Sequence, residues 1–284
     1  MSKMITIVGP TGSGKSAMAM KLAEGFNGQI ICADSRTVYR GMDIGTAKPS
    51  KVDQSKVKHY LLDIVDPDEV FSVAEFKETA LEAIKEVSES KHLSIMAGGS
   101  GLYIDSVLFD YKFRDQPKPK QELSGLSDEE LVSLATALHP NTKLESKNLR
   151  RVKQLIARGP AQDADRRMQK VDSLVLGIYI EKLMLKQNIT NRAEQFLNNG
   201  FVQEVEDLVN KYGADAPGLQ STGYAAVVEY LSGKLKKEEL KEKIVADTMK
   251  LAKKQLTWFK RNPDIVWLND YDQARGFVQE YLQS

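Results

Sequence analysis

Residues 9–16 read GPTGSGKS, between the apolar run MITIV (4–8) and the helix-like AMAMKLAEGF (17–26). Gly9, Gly14, Lys15 and Ser16 satisfy the spacing G-x-x-x-x-G-K-[ST]. With a strand entering and a helix leaving, this spacing curls the backbone until its N–H groups converge on phosphate oxygens at the helix N-terminus. Gly9, Pro10, Thr11, Gly12, Ser13, Gly14, Lys15 and Ser16 are therefore phosphate-binding candidates. Lys15 adds a mobile cation and Ser16 a hydroxyl suited to Mg²⁺. The loop implies that phosphate is bound and leaves open whether it is transferred.

Outward from this loop, strand-like and helix-like patterns alternate. QIICA (29–33), LLDIV (61–65) and LSIMA (93–97) read as further strands, and Ser72 with Glu75 forms a capping box for VAEFKETALEAIKEV. Ala74, Phe76, Leu81, Ile84 and Val87 give that helix an apolar stripe. This rhythm predicts an α/β fold, a P-loop NTPase-like parallel sheet flanked by helices. Ligands bind such sheets at the carboxyl ends of the strands, here GPTGSGKS, ADSRTVYRG (33–41) and AGGSGLY (97–103). Between Tyr111 and Asp172 the chain turns Pro-rich and charged, with short helical segments. The expected organisation is a core of residues 1–110 and 173–284 carrying a small, mainly helical insertion, 111–172. SLVLGIYI (173–180) resumes a strand. TNRAEQFLNNGFVQEVEDLVNKYG, GYAAVVEYLSG and the segment to Phe259 read as helical, and VWL (266–268) as a last strand.

At 284 residues with 42% apolar content, the chain suits one large domain with an insertion. Its single cysteine, Cys32, excludes an intrachain disulfide framework and a cysteine-based zinc module, and reads as a buried strand residue. MSKMITIVGP is interrupted too soon to be a signal peptide, and no apolar stretch is long enough to span a membrane, so a cytoplasmic location is expected. Net charge is +1, but cations concentrate in KNLRRVKQLIAR (147–158) and between Lys234 and Arg261. On composition alone these are solvated helix faces or phosphate-binding surfaces.

Asp34 stands at the tip of the second strand. There a carboxylate can hold Mg²⁺ through water, act as a general base, or simply cap a turn. Thr46 and Lys48 in GTAKP put a hydroxyl and a cation on a loop able to fold over the site. Gly98, Gly99 and Gly101 allow close backbone approach, and Ser100 offers a polar contact.

Taken in order, GPTGSGKS, DSRTVYRGMDIGTAKP, HYLLDIVDPDEVFSVAEF, GGSGLY, GYAAVVEYLSG and LAKKQLTWFK make the chain resemble the tRNA dimethylallyltransferase family over nearly its whole length. The resemblance implies transfer of a dimethylallyl group from dimethylallyl diphosphate to the exocyclic amine of the adenosine 3′ of the anticodon. On that reading GPTGSGKS holds the donor's diphosphate as a leaving group, with Mg²⁺ near Ser16, while Asp34, Lys15 and Thr11 are catalytic. The tRNA anticodon stem-loop is the implied partner, met by Asp34, Ser35, Arg36, Thr37, Ser100, Arg150, Arg151, Lys253 and Lys254. No membrane partner is implied, and a monomer is expected.

The sequence departs from the family where Thr37 replaces a glutamine, Ser100 a threonine, and Asn188, Gln154, Ala225 and Met249 basic residues; Ala157 replaces a glutamate. The insertion is also short. An adenylate isopentenyltransferase acting on free nucleotides and a P-loop small-molecule kinase are the alternatives. RDQPKPKQEL lacks the arginines of a kinase lid.

Overall fold

Residues of MITIV alternate between two apolar layers. Met4 and Val8 pack into one, Ile5 and Ile7 into the other, so strand β1 (Met4–Val8) is buried on both faces. The computed structural model describes residues 3–111, 126–138 and 171–284, with Leu149, Val152, Ile156 and Gln169. Backbone contacts divide the chain into a larger unit, Met1–Asp110 with Lys170–Ser284, and a smaller one, Tyr111–Gln169.

In the larger unit α1 (Lys15–Gly25) follows the P-loop, then β2 (Gly28–Cys32), α2 (Lys51–Lys56), β3 (His59–Tyr60), α3 (Val73–Glu89), β4 (Leu93–Gly98) and α4 (Gly101–Leu108). The smaller unit contains α5 (Asp128–Leu138). The larger resumes with β5 (Ser173–Ile178), α6 (Lys182–Asn198), α7 (Phe201–Tyr212), α8 (Tyr224–Leu231), α9 (Lys237–Phe259), β6 (Val266–Leu268) and α10 (Tyr271–Gln283). The six strands form one parallel sheet in the order β3-β2-β4-β1-β5-β6.

Helices cover both faces of the sheet. Met18, Leu22, Ala274 and Val278 of α1 and α10 close one layer, which also buries Cys32. Phe76 and Ala80 of α3, Tyr103 and Ile104 of α4, and Phe259 close the other. A third apolar cluster lies among α6 to α9, where Phe201, Val205, Tyr224, Leu240 and Ile244 receive Val38, Tyr39 and Met42. The segment after β2 is thereby anchored on the C-terminal helices. The smaller unit has its own cluster of Leu131, Ala135, Val152 and Ile156. Arg150, Arg151, Gln154 and Ala157 lie outside the described residues.

Two expectations need correction. LLDIV is not a strand: sheet pairing is confined to His59–Tyr60, because Leu61 and Asp63 adopt left-handed backbone (φ 64 and 55), and Val65 makes only an isolated bridge with Tyr39. Leu81 is exposed, and Ala80 and Ala83 take the buried face of α3 between Phe76 and Val87. TNRAEQFLNNGFVQEVEDLVNKYG is helical as expected, in two helices that meet at Gly200 in left-handed conformation (φ 92). The Ser72–Glu75 capping box is formed, each residue satisfying the other's backbone N–H. Among the described residues no helix is long and apolar enough to cross a membrane.

Candidate functional site

The loop after β1 turns through Gly12 and Gly14, both at positive φ (82 and 90), where a side chain would be strained. Gly14 caps α1, so the unpaired N–H groups of the first helical turn face the loop. Lys15 folds back towards it, its ammonium donating to the Pro10 carbonyl at 3.3 Å. Withdrawal from water lowers the Lys15 pKa to about 8; nearby Asp34 opposes the shift and Arg192 adds to it. Ser16, the second residue of α1, is exposed. Ser13 is buried, and its hydroxyl has no hydrogen-bond partner among the described residues.

Three residues from distant parts of the chain hold this loop. Gln255 of α9 accepts the Thr11 N–H at 2.8 Å through its side-chain oxygen. Asn188 of α6 donates to the Gly12 carbonyl at 3.0 Å. One turn later Arg192 donates to the Thr11 hydroxyl at 3.3 Å. The Arg192 pKa is lowered by burial, against the pull of Asp34.

Asp34 follows β2, and its carboxylate accepts the Arg36 N–H at 2.9 Å. The Ser35 N–H donates to the Ser100 hydroxyl at 2.9 Å, joining this turn to the segment after β4. Thr37 is buried, its hydroxyl turned back to the Asp34 carbonyl at 3.4 Å. Gly99 lies under the Gln255 amide and Gly101 under the Trp258 indole, and a Cβ at either would overlap them. Trp258 also donates to Asp105 at 2.8 Å, so α9 seats tightly on α4.

A cavity of about 220 Å³ opens between these parts. Thr11, Asp34, Ser35, Arg36, Ser100, Arg192 and Gln255 form polar walls. Ile189, Ala193, Phe196, Ile244 and Leu251 supply apolar lining, and Gly45 and Thr46 complete the site with Thr222 and Thr248. The structure thus brings together Thr11, Asp34, Ser35, Arg36 and Ser100, all expected from the sequence. Lys48 does not face the cavity: its ammonium is consumed by the Tyr39 carbonyl at 2.9 Å, Asp43 at 2.6 Å and Asp63 at 2.5 Å. Lys253 and Lys254 are exposed on α9 and are not among the cavity residues. Met249 packs against the cluster of Leu185, Ile189 and Ala252, which explains an apolar residue there.

Sequence reasoning missed Arg192, Gln255 and the apolar lining. Gln255 sits inside the quoted KKQLTWF, read only for its lysines. Arg192 follows Asn188 by four residues, a spacing that puts both on one helix face.

Known proteins with this architecture are close in sequence. The IPP transferase family model matches residues 37–262. The chain is similar to a tRNA dimethylallyltransferase of Acetivibrio thermocellus, 35% identical over 98% of this chain and 96% of the relative. Among solved structures it is similar to the full-length tRNA isopentenylpyrophosphate transferase of Bacillus halodurans (29% identity, TM-score 0.78, covering 100% of this chain and 97% of that one). It is also similar to the tRNA isopentenylpyrophosphate transferase of Staphylococcus epidermidis (30% identity, TM-score 0.76, covering 100% and 99%). The family match spans most of the chain and the relatives extend over nearly all of it: this protein belongs to the IPP transferase family.

Proposed function

We propose that the chain transfers a dimethylallyl group from dimethylallyl diphosphate to the exocyclic amine of an adenosine in the tRNA anticodon loop, releasing diphosphate. The observation that carries the reading is the mixed character of the cavity. Thr11, Arg192 and Gln255 mark the phosphate-binding wall, while Ile189, Ala193, Phe196, Ile244 and Leu251 offer hydrocarbon lining suited to a prenyl chain.

In this mechanism the allylic carbon–oxygen bond breaks and a carbon–nitrogen bond to the adenine amine forms. Negative charge develops on the departing diphosphate, where P-loop N–H groups, Lys15 and Arg192 stabilise it. The amine's proton passes to the Asp34 carboxylate, which lines the same cavity. Thr11, held by Gln255 and Arg192, orients the donor.

Among the described residues no three His, Cys, Asp or Glu side chains gather as metal ligands. The exposed Ser16 hydroxyl beside the P-loop fits Mg²⁺: it would help hold the ion, which would neutralise negative charge on the leaving group.

The acceptor base must leave its stack to reach such a cavity, and the phosphates beside it need cations. Lys253 and Lys254, exposed on the helix that sends Gln255 to the P-loop, are suited to that contact, and Ser35, Arg36 and Ser100 to the base or its neighbours. The experiment is thermal unfolding of the whole chain with either ligand. Dimethylallyl diphosphate with Mg²⁺ should raise the melting temperature more than ATP with Mg²⁺. Protection by ATP alone would overturn the reading.

A further inference from the structure

Glu204, in the first turn of α7, spends its carboxylate entirely on uncharged donors among the described residues. One oxygen accepts the Asp43 and Ile44 N–H groups at 3.0 and 2.7 Å. The other accepts the Gly45 N–H at 3.3 Å and the Tyr224 hydroxyl at 2.6 Å. Three successive backbone N–H groups thus converge on one anion, as in an anion-binding nest whose ligand is supplied by the protein itself. Gly45 admits Phe201 and Tyr224 so closely that a Cβ there would overlap both rings. The rings meet edge to face, with centroids 4.9 Å apart. Burial and the neighbouring Glu204 raise the Tyr224 pKa, keeping its hydroxyl protonated as a donor. Glu204 itself is not among the cavity residues, whereas Gly45, Thr46 and Thr222 are.

We propose that Glu204 is a positioning residue for prenyl transfer, one carboxylate fixing the Gly45–Thr46 wall and, through Tyr224, the turn that carries Thr222. Lys48 seizes Asp43 through its side chain while Glu204 takes the same residue's N–H, so the loop is gripped from both sides. The P-loop is held independently by Gln255, Asn188 and Arg192. Loss of Glu204 should therefore disturb the Gly45–Thr46 wall and spare the P-loop. The proposal rests on the prenyl-transfer reading for its effect on turnover.

Glu204→Gln and Tyr224→Phe test it, with amide hydrogen exchange of the full chain as the first readout. In Glu204→Gln, exchange at residues 43–46 should accelerate while residues 9–16 stay as in the wild type. The second readout is turnover with dimethylallyl diphosphate and bulk tRNA, normalised to donor-binding stoichiometry. It should fall about tenfold or more in Glu204→Gln, with donor Kd within about twofold, because small displacements of a reacting pair are costly. Tyr224→Phe removes one of four donors and should shift both readouts less, in the same direction. Unchanged exchange at 43–46, or unchanged turnover per donor-binding site, overturns the proposal. A purely structural role predicts fewer binding sites with normal turnover at each. A wild type that transfers no prenyl group to tRNA defeats the functional reading instead, and the exchange result still decides the loop clamp.

Discussion

The donor cradle and the loop from Asp34 to Lys48 follow β1 and β2, with β4 between them in the sheet, yet they are built in opposite ways. The cradle is mostly local: eight consecutive residues, two left-handed glycines and a helix N-terminus create it, and Gln255, Asn188 and Arg192 only steady it. The loop gets its shape from afar, from Glu204 more than 150 residues away and from the Phe201 and Tyr224 rings. A phosphate site can thus be carried by a motif, while the Gly45–Thr46 wall depends on how the C-terminal helices fold. Damage to the first should strike donor affinity and turnover together. Damage to the second should strike turnover alone.

Lys15→Ala makes the strongest case for the first half of that contrast. It removes a cation that meets the diphosphate before and during bond breakage, so kcat/KM for the donor should drop on the order of a thousandfold, with weaker donor binding. Titration calorimetry beside steady-state kinetics separates the two; full donor affinity in the variant would break the comparison.

Asp34→Asn lies on the boundary. The amide keeps the shape but cannot take the amine's proton, so turnover should fall on the order of a hundredfold while donor affinity holds. Equal losses in both would move Asp34 into the diphosphate or metal shell.

Gly45→Ala probes the loop without replacing a reacting side chain. The added Cβ must push aside Phe201 and Tyr224, at a cost of about 1–3 kcal/mol in stability read from urea unfolding. Donor affinity per folded molecule should be unchanged, and an unaltered midpoint would show that the loop is not packed as described.

The pH dependence of donor binding returns to the cradle. Lys15, depressed to about 8 by burial, is charged below that pH and neutral above it. Bound diphosphate favours the charged form, so donor affinity should weaken as pH rises through 8 towards the ordinary lysine value. Lys15→Ala should flatten this profile between pH 7 and 10.

Lys253→Ala has the smallest expected effect. An exposed cation that meets one phosphate should weaken tRNA binding a few-fold and reduce the salt slope by about one ion, leaving donor affinity unchanged. Identical salt titrations for wild type and variant would remove α9 from the tRNA surface.

What was legible in the sequence follows the same division. GPTGSGKS, the capping box at Ser72 and the apolar run MITIV are signals carried by neighbours in the chain, and each is present in the structure. The role of the glycines in AGGSGLY was readable only as close approach; that Gln255 and Trp258 are the groups approached is a tertiary fact. Lys48 reads as a free cation until Asp43 and Asp63 are brought beside it. LLDIV has strand composition, but Asp63 turns to meet Lys48 and the left-handed turns at Leu61 and Asp63 end the strand. Glu204 looks like any helix-surface carboxylate until three N–H groups of a remote loop close on it.

Radiolabelled dimethylallyl diphosphate offered to the wild-type chain with bulk tRNA, with AMP, or with neither tests the central claim most directly. Label should enter tRNA, on adenosine 3′ of the anticodon, with one diphosphate released per group transferred. Faster labelling of AMP than of tRNA, or no transfer to either while ATP is consumed, would contradict it.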